Sequence, residues 1–226
     1  MEQTTAFAVD TSKRTVKDWI PGLFILLMGL TIAHLGVTLF LLSELGADPF
    51  TVLIEGLSKT TNFSIGTCHV AICVLLMAVM ALTTKGYVKP GTVLCAFCGG
   101  PIIDFFEWVL GDLVTAQSSW GVRIAAMVVG CVVLAFGMAL VMRSNSGTGP
   151  NDLVAMILSD KLNQKRKIAF RWVRMSCDVI FVVVGYLLGG IVGAGTLVAA
   201  FLTGPLVQLF LPLHGKTITK FFPKLN

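Results

Sequence analysis

An all-α membrane protein is what this sequence predicts, with about six transmembrane helices in an inverted-topology 3+3 repeat and a short half- or interfacial helix in each repeat. Three observations lead there. Of 226 residues, 55% are hydrophobic and 13% charged, with mean hydropathy +0.86, a make-up foreign to soluble domains. Apolar runs near residues 20–42, 66–83, 91–110, 121–142, 170–188 and 195–213 approach the roughly 20 helical residues that cross a bilayer. Finally, the chain repeats itself: Gly91 to Phe106 recurs 104 residues later as Gly195 to Phe210, with seven of sixteen positions identical.

The duplication continues upstream, where Gly29, Gly36, Leu39, Gly46 and Pro49 meet Gly130, Gly137, Leu140, Gly147 and Pro150 at a spacing of 101. Three spans per copy is an odd number, so the second copy enters the membrane from the opposite face. The basic residues give the same orientation independently. With both termini cytoplasmic, the inside segments hold Lys13, Arg14, Lys17, Lys85, Lys89, Arg143, Lys161, Lys165, Arg166, Lys167, Lys216, Lys220 and Lys224, thirteen of the seventeen Lys and Arg. Lys59 and Arg123 fall outside, and Arg171 and Arg174 lie in the first turns of the fifth span. This asymmetry is the positive-inside signal. The chain accordingly divides into a polar cytoplasmic N-terminus (1–19), a first three-span repeat (20–110), a linker (111–120), a second repeat (121–213) and a basic cytoplasmic tail (214–226). Residues 20–42 are too long for a signal-peptide core and read as a retained span.

Within each repeat the order of parts is fixed. A long glycine-containing span leads to a Gly-x-x-Pro turn, then to a short segment of about ten residues starting at Pro49 or Pro150, then to a second span and a third one interrupted at Pro101 or Pro205. Proline at the first helical position marks a helix start, and ten residues reach about 15 Å, half a bilayer. Such segments lie flat at the headgroups or dip inward with their positive ends facing a solute.

Polar residues inside spans are the candidates for function, because each is costly in lipid. Asp104 lies in the third span with Gln208 as its counterpart in the sixth, and its partner is expected among His34, His69, Arg174 and Gln208. Asp178 lies near mid-depth of the fifth span, four residues after Arg174, so the two share one helix face. Asn151 and Asp152 follow Pro150 without a polar copy in the first repeat beyond Thr51. His34 and His69 read as interhelical hydrogen bonders. A substrate or ion site is therefore expected from Asp48, Pro49, Asp104, Pro150, Asn151, Asp152, Arg174, Asp178 and Gln208.

Other function classes are disfavoured. The net charge of +5 alternates with hydrophobic spans instead of forming one stripe, which argues against nucleic acid. All six cysteines fall in predicted spans, and Cys95 and Cys98 read as packing residues, so no disulfide, metal or other cofactor is expected. No Walker A, HExxH or GxSxG motif occurs, so the chain does not read as an enzyme.

Around Leu45-Gly46-Ala47-Asp48-Pro49, Ser64-Ile65-Gly66-Thr67, Pro90-Gly91-Thr92, Gly100-Pro101-Ile102-Ile103-Asp104, Gly195-Thr196 and Gly204-Pro205, the sequence resembles the YczE/YyaS/YitT group of bacterial integral membrane proteins. The resemblance implies a multi-pass protein of the bacterial cytoplasmic membrane and brings no catalytic residues with it. Three functions are weighed. The first is a small secondary transporter or permease with a solute site between the repeats. The second is a non-transporting scaffold, whose basic loop 161–167 docks a cytoplasmic partner or anionic lipid. The third is the substrate-binding membrane subunit of an ATP-driven importer. Besides the bilayer, an unknown small solute and a homo-oligomer are the partners left open.

Overall fold

A computed structural model describes residues 16–83, 87–115, 117–163, 168 and 170–221. The N-terminal charges Asp10, Lys13 and Arg14, together with Lys85, Lys165, Arg166, Lys167 and Lys224, lie outside the described residues, as do the side chains of Lys17, Asp18, Lys216 and Lys220. Among the described residues there are eight helices and no strand. They are α1 (Val16–Ser43), α2 (Pro49–Thr61), α3 (Ile65–Thr83), α4 (Pro90–Leu110), α5 (Trp120–Arg143), α6 (Pro150–Asn163), α7 (Phe170–Leu187) and α8 (Ala194–Phe221).

Among the described residues, five stretches are long and apolar enough to cross a membrane: Trp19–Ser43, Ile65–Leu82, Pro90–Leu110, Trp120–Arg143 and Ala194–Gly215. The sixth expected span, α7, is 18 residues long and carries Arg171, Arg174 and Asp178, so its composition leaves it outside that group. At about 1.5 Å per residue it still reaches about 27 Å. Proline does not interrupt the third and last spans as expected. α4 and α8 run continuously through Pro101 and Pro205. Each proline removes only one backbone bond, and the rest of the i→i−4 ladder carries the helix through, as membrane helices commonly allow.

The core is a seam between α1 and α5. Gly29 packs on the Gly137 carbonyl and Leu140, and Gly36 packs on the Gly130 carbonyl and Leu134. Contacts running in opposite sequence order make the two helices antiparallel. A Cβ at Gly29 would stand 2.8 Å from the Val141 nitrogen, so the approach requires glycine. Phe40, Leu134 and Cys131 close the apolar cluster beside the seam.

Many of these contacts come in pairs. The Gly91 N–H donates to the Ser146 carbonyl at 3.0 Å, and the Gly195 N–H donates to the Leu45 carbonyl at 2.8 Å. After α1 and α5 alike, the chain turns through a left-handed residue, Glu44 at φ 50° and Asn145 at φ 51°, then through Gly46 and Gly147 at φ 97° and 141°. The Ser43 hydroxyl donates to the Phe40 carbonyl, and the Ser144 hydroxyl to the Val141 carbonyl, both at 2.7 Å. Each contact maps on its twin by the spacing found in the sequence.

The short helices are packed within the bundle. α2 buries Pro49, Phe50, Thr51, Val52, Ile54, Glu55 and Gly56, and its neighbours are α7, α3 and α8. α6 buries Pro150, Leu153, Ala155, Ile157 and Ser159 and packs on α7, α3 and α4. α2 thus buries more of its length than α6 does.

Candidate functional site

α7 supplies the cation around which the predicted site assembles. Arg174 Nε donates to both carboxylate oxygens of Asp178, at 3.2 and 3.3 Å, as the four-residue spacing leads one to expect. The guanidinium also donates to Asp152 in the first turn of α6, a bond that the sequence spacing could not reveal. Asn151 Nδ2 donates to the same Asp152 at 3.3 Å. Asp48 caps α2, accepting from the Thr51 N–H at 3.2 Å and from the Thr51 hydroxyl at 2.5 Å, and it lies within electrostatic reach of Arg174 and Asp152.

The start of α6 therefore bonds one arginine on α7, and the start of α2 stands within electrostatic reach of it. Two carboxylates, Asp152 and Asp178, share the guanidinium, while Asp48 is engaged by Thr51. Arg174, Asp152 and Asp178 are 31%, 23% and 25% exposed, so the cluster is neither sealed nor fully solvated. Two of the carboxylates, Asp48 and Asp152, stand at the positive ends of α2 and α6, where the helix dipole favours negative charge. Pro49 and Pro150, both buried, set those helix starts.

An aromatic group adjoins α2. Phe50 lies edge-on to Phe181 of α7 at 5.5 Å and to His69 of α3 at 5.6 Å, and His69 lies edge-on to His34 of α1 at 5.2 Å. His34 differs from expectation, since its Nδ1 bonds the Leu30 carbonyl of its own helix at 2.8 Å. Both rings press on α4 at Gly99, where a Cβ would stand 2.7 Å from His69 Nε2 and 2.9 Å from His34 Nε2.

Asp104 and Gln208 stand apart. Asp104 accepts from the Ser64 hydroxyl and the Gly66 N–H, both at 2.7 Å. None of the expected partners His34, His69, Arg174 and Gln208 supplies those bonds. The physical reason is local: the first N–H groups of α3 lack helical acceptors, and α4 passes close enough at Gly100 for its carboxylate to supply one. Gln208 is exposed on α8. The residue that sequence reasoning missed is Glu55, 8% exposed, which accepts from Lys59 at 2.8 Å and from the Ile191 N–H at 2.9 Å. Its i,i+4 spacing to Lys59 was the available signal.

All six cysteines are free, and Cys95 packs among Leu26, Leu30 and Val141. Among the described residues no group of three or more His, Cys, Asp or Glu is arranged to hold a metal ion.

Comparison with known proteins places this arrangement in a family. Residues 20–212 match the family described as "Family of unknown function (DUF6198)". An uncharacterized protein of Haemophilus influenzae is 31% identical over 187 residues, 83% of this chain and 82% of its own length. The uncharacterized protein YyaS of Bacillus subtilis is 29% identical over 82% of this chain and 90% of its own length. The uncharacterized membrane protein YczE of the same organism is 28% identical over 81% of this chain and 82% of its own length. No solved structure matches.

Proposed function

This chain belongs to the DUF6198 family and is similar to the uncharacterized membrane protein YczE, and from that premise we propose that it is a small secondary transporter or permease. Its solute site lies between two inverted repeats, at Asp48, Asp152, Arg174 and Asp178. The observation that carries this reading is the bonding of Arg174 to Asp152 at the start of α6 and to Asp178 of α7, with the Asp48 start of α2 within electrostatic reach. Discontinuous helices whose ends face one polar site near mid-membrane are the usual construction of secondary transporters.

The repeat reading is supported by the paired contacts. Gly29 against Gly137 and Gly36 against Gly130 exchange into one another when the copies are swapped. Two copies of one helix in antiparallel contact are related by a two-fold axis perpendicular to them, which in a bilayer lies in the membrane plane. The distribution of Lys and Arg, with both termini cytoplasmic, supports the same orientation. α7 serves as the sixth span, with Arg174 met by Asp152 of α6 and by Asp178 of its own next turn.

Reconstituted proteoliposomes test the proposal. With a proton or sodium gradient imposed, a solute-class screen is expected to reveal coupled uptake that Asp178→Asn and Asp152→Asn abolish while the purified variants stay folded. Absence of flux for every solute class would sink it, and co-purification of an ATPase subunit would favour the importer alternative.

A further inference from the structure

A cavity of about 360 Å3 opens where the end of α1, the outer part of α2, the start of α3, the end of α4 and the loop before α8 come together. Its polar lining comes from Glu44, Glu55, Lys59, Glu107 and Thr115. On the orientation proposed above, it faces outward, and α2 leads from it to the Asp48 end of the polar cluster. In volume it falls within the range of small-molecule sites.

The lining carries three carboxylates against one ammonium. Arg123 reaches in from α5, lying 3.6 Å from the Glu44 carboxylate, but its Nε is engaged by the Ser43 carbonyl at 2.7 Å. Glu55 is fixed in place: one oxygen accepts from the Ile191 N–H, and the other holds the Lys59 ammonium at 2.8 Å. Lys59 itself is 46% exposed on a long flexible stem, while the Glu55 side chain is 10% exposed. A preformed, nearly buried carboxylate is thus already occupied by a primary ammonium that can swing away.

The geometry points to an outer binding site for small solutes bearing a primary ammonium group, with Lys59 as a tethered occupant that the solute displaces and Glu107 as a second contact. A tethered ammonium competes as an intramolecular ligand, and excess carboxylate in a cleft concentrates cations. The inference rests on the transporter reading for its role, since it names the class of solute that enters, but the site itself can be examined without transport.

Full-length protein purified in nanodiscs is titrated by calorimetry with 1,4-diaminobutane, with tetramethylammonium and acetate as controls. Saturable binding of the diamine is expected, with weaker or no binding of both controls. Glu107→Gln is expected to weaken it about fivefold, the scale of one partly exposed ion pair. Lys59→Met is expected to tighten it about twofold, the worth of the i,i+4 pair it removes. The opposite sign for Lys59→Met, an unchanged affinity in Glu107→Gln, or no saturable diamine binding in the unaltered protein each overturns the site. Diamine binding without flux in proteoliposomes rejects transport and leaves the site standing, whereas flux of another solute without diamine binding does the reverse.

Discussion

The second span of the first half and its counterpart in the second half are held in different ways. α3 lies against α4, where a Cβ at Gly100 would stand 2.7 Å from Val70, and Asp104 of α4 caps its start. α7 lies instead against α2, where a Cβ at Gly185 would stand 2.6 Å from the Leu53 nitrogen, and is tied to α6 through Arg174. At the spacing of 104 that puts Gly100 on Gly204, Asp104 falls on Gln208, Val70 on Arg174 and Val74 on Asp178. A Cβ at Gly204 would meet no neighbouring atom within 4 Å. The halves share turns and the central seam, and they differ where charge is placed. Shared positions carry architecture, and the departures carry the polar cluster.

The largest break in that comparison is expected from Arg174→Leu, which strands Asp152 and Asp178 together. A loss of about 3 kcal/mol in thermal unfolding is expected, at the low end for removing one partner of a buried pair because this cluster is partly exposed; a loss below about 0.5 kcal/mol would show the ion pairs to be idle. Next comes the glycine pair. Gly100→Ala should cost about 2 kcal/mol by overpacking α3 on α4, while Gly204→Ala should be neutral or stabilising by up to about 1 kcal/mol through helix propensity. Equal effects at the two positions would erase the asymmetry.

Asp104→Leu should cost about 1–3 kcal/mol by orphaning the Gly66 N–H, and Gln208→Leu should cost nothing. The smallest effect concerns the Tyr87 hydroxyl, which donates to Asp160 at 2.8 Å. That bond to a carboxylate raises the tyrosine above its ordinary pKa near 10. Its contribution is therefore present below pH 10 and disappears as pH rises through the raised value. Tyr87→Phe should lower stability by about 0.5 kcal/mol at neutral pH and remove that part of the alkaline loss.

Much of the fold was legible because it is written twice. Glycine and proline at two fixed spacings marked the seam, the turns and the starts of α2 and α6, where backbone geometry allows few other residues. Arg174 and Asp178 were legible as a pair because four residues make one helical turn. Asp152 as the third member was not, since nothing local records which helix α6 will face. Asp104 misled for a related reason: a carboxylate in an apolar run looks functional, while the N–H groups it serves belong to another helix 38 residues away. Pro101 and Pro205 do not end their helices, because proline chemistry deletes a bond without dictating that the helix stop.

One contact governs how the chain reaches this arrangement. α2 belongs to the first half, yet Gly56 packs on the Gly185 carbonyl of α7 and the Thr60 hydroxyl bonds the Leu188 carbonyl 128 residues further along. A ribosome adding about 5–20 residues per second takes roughly ten seconds to cover that distance. During that interval α2 has emerged without the surface it is shaped for, so neither half is a self-sufficient product of synthesis. The first copy has to wait for the second.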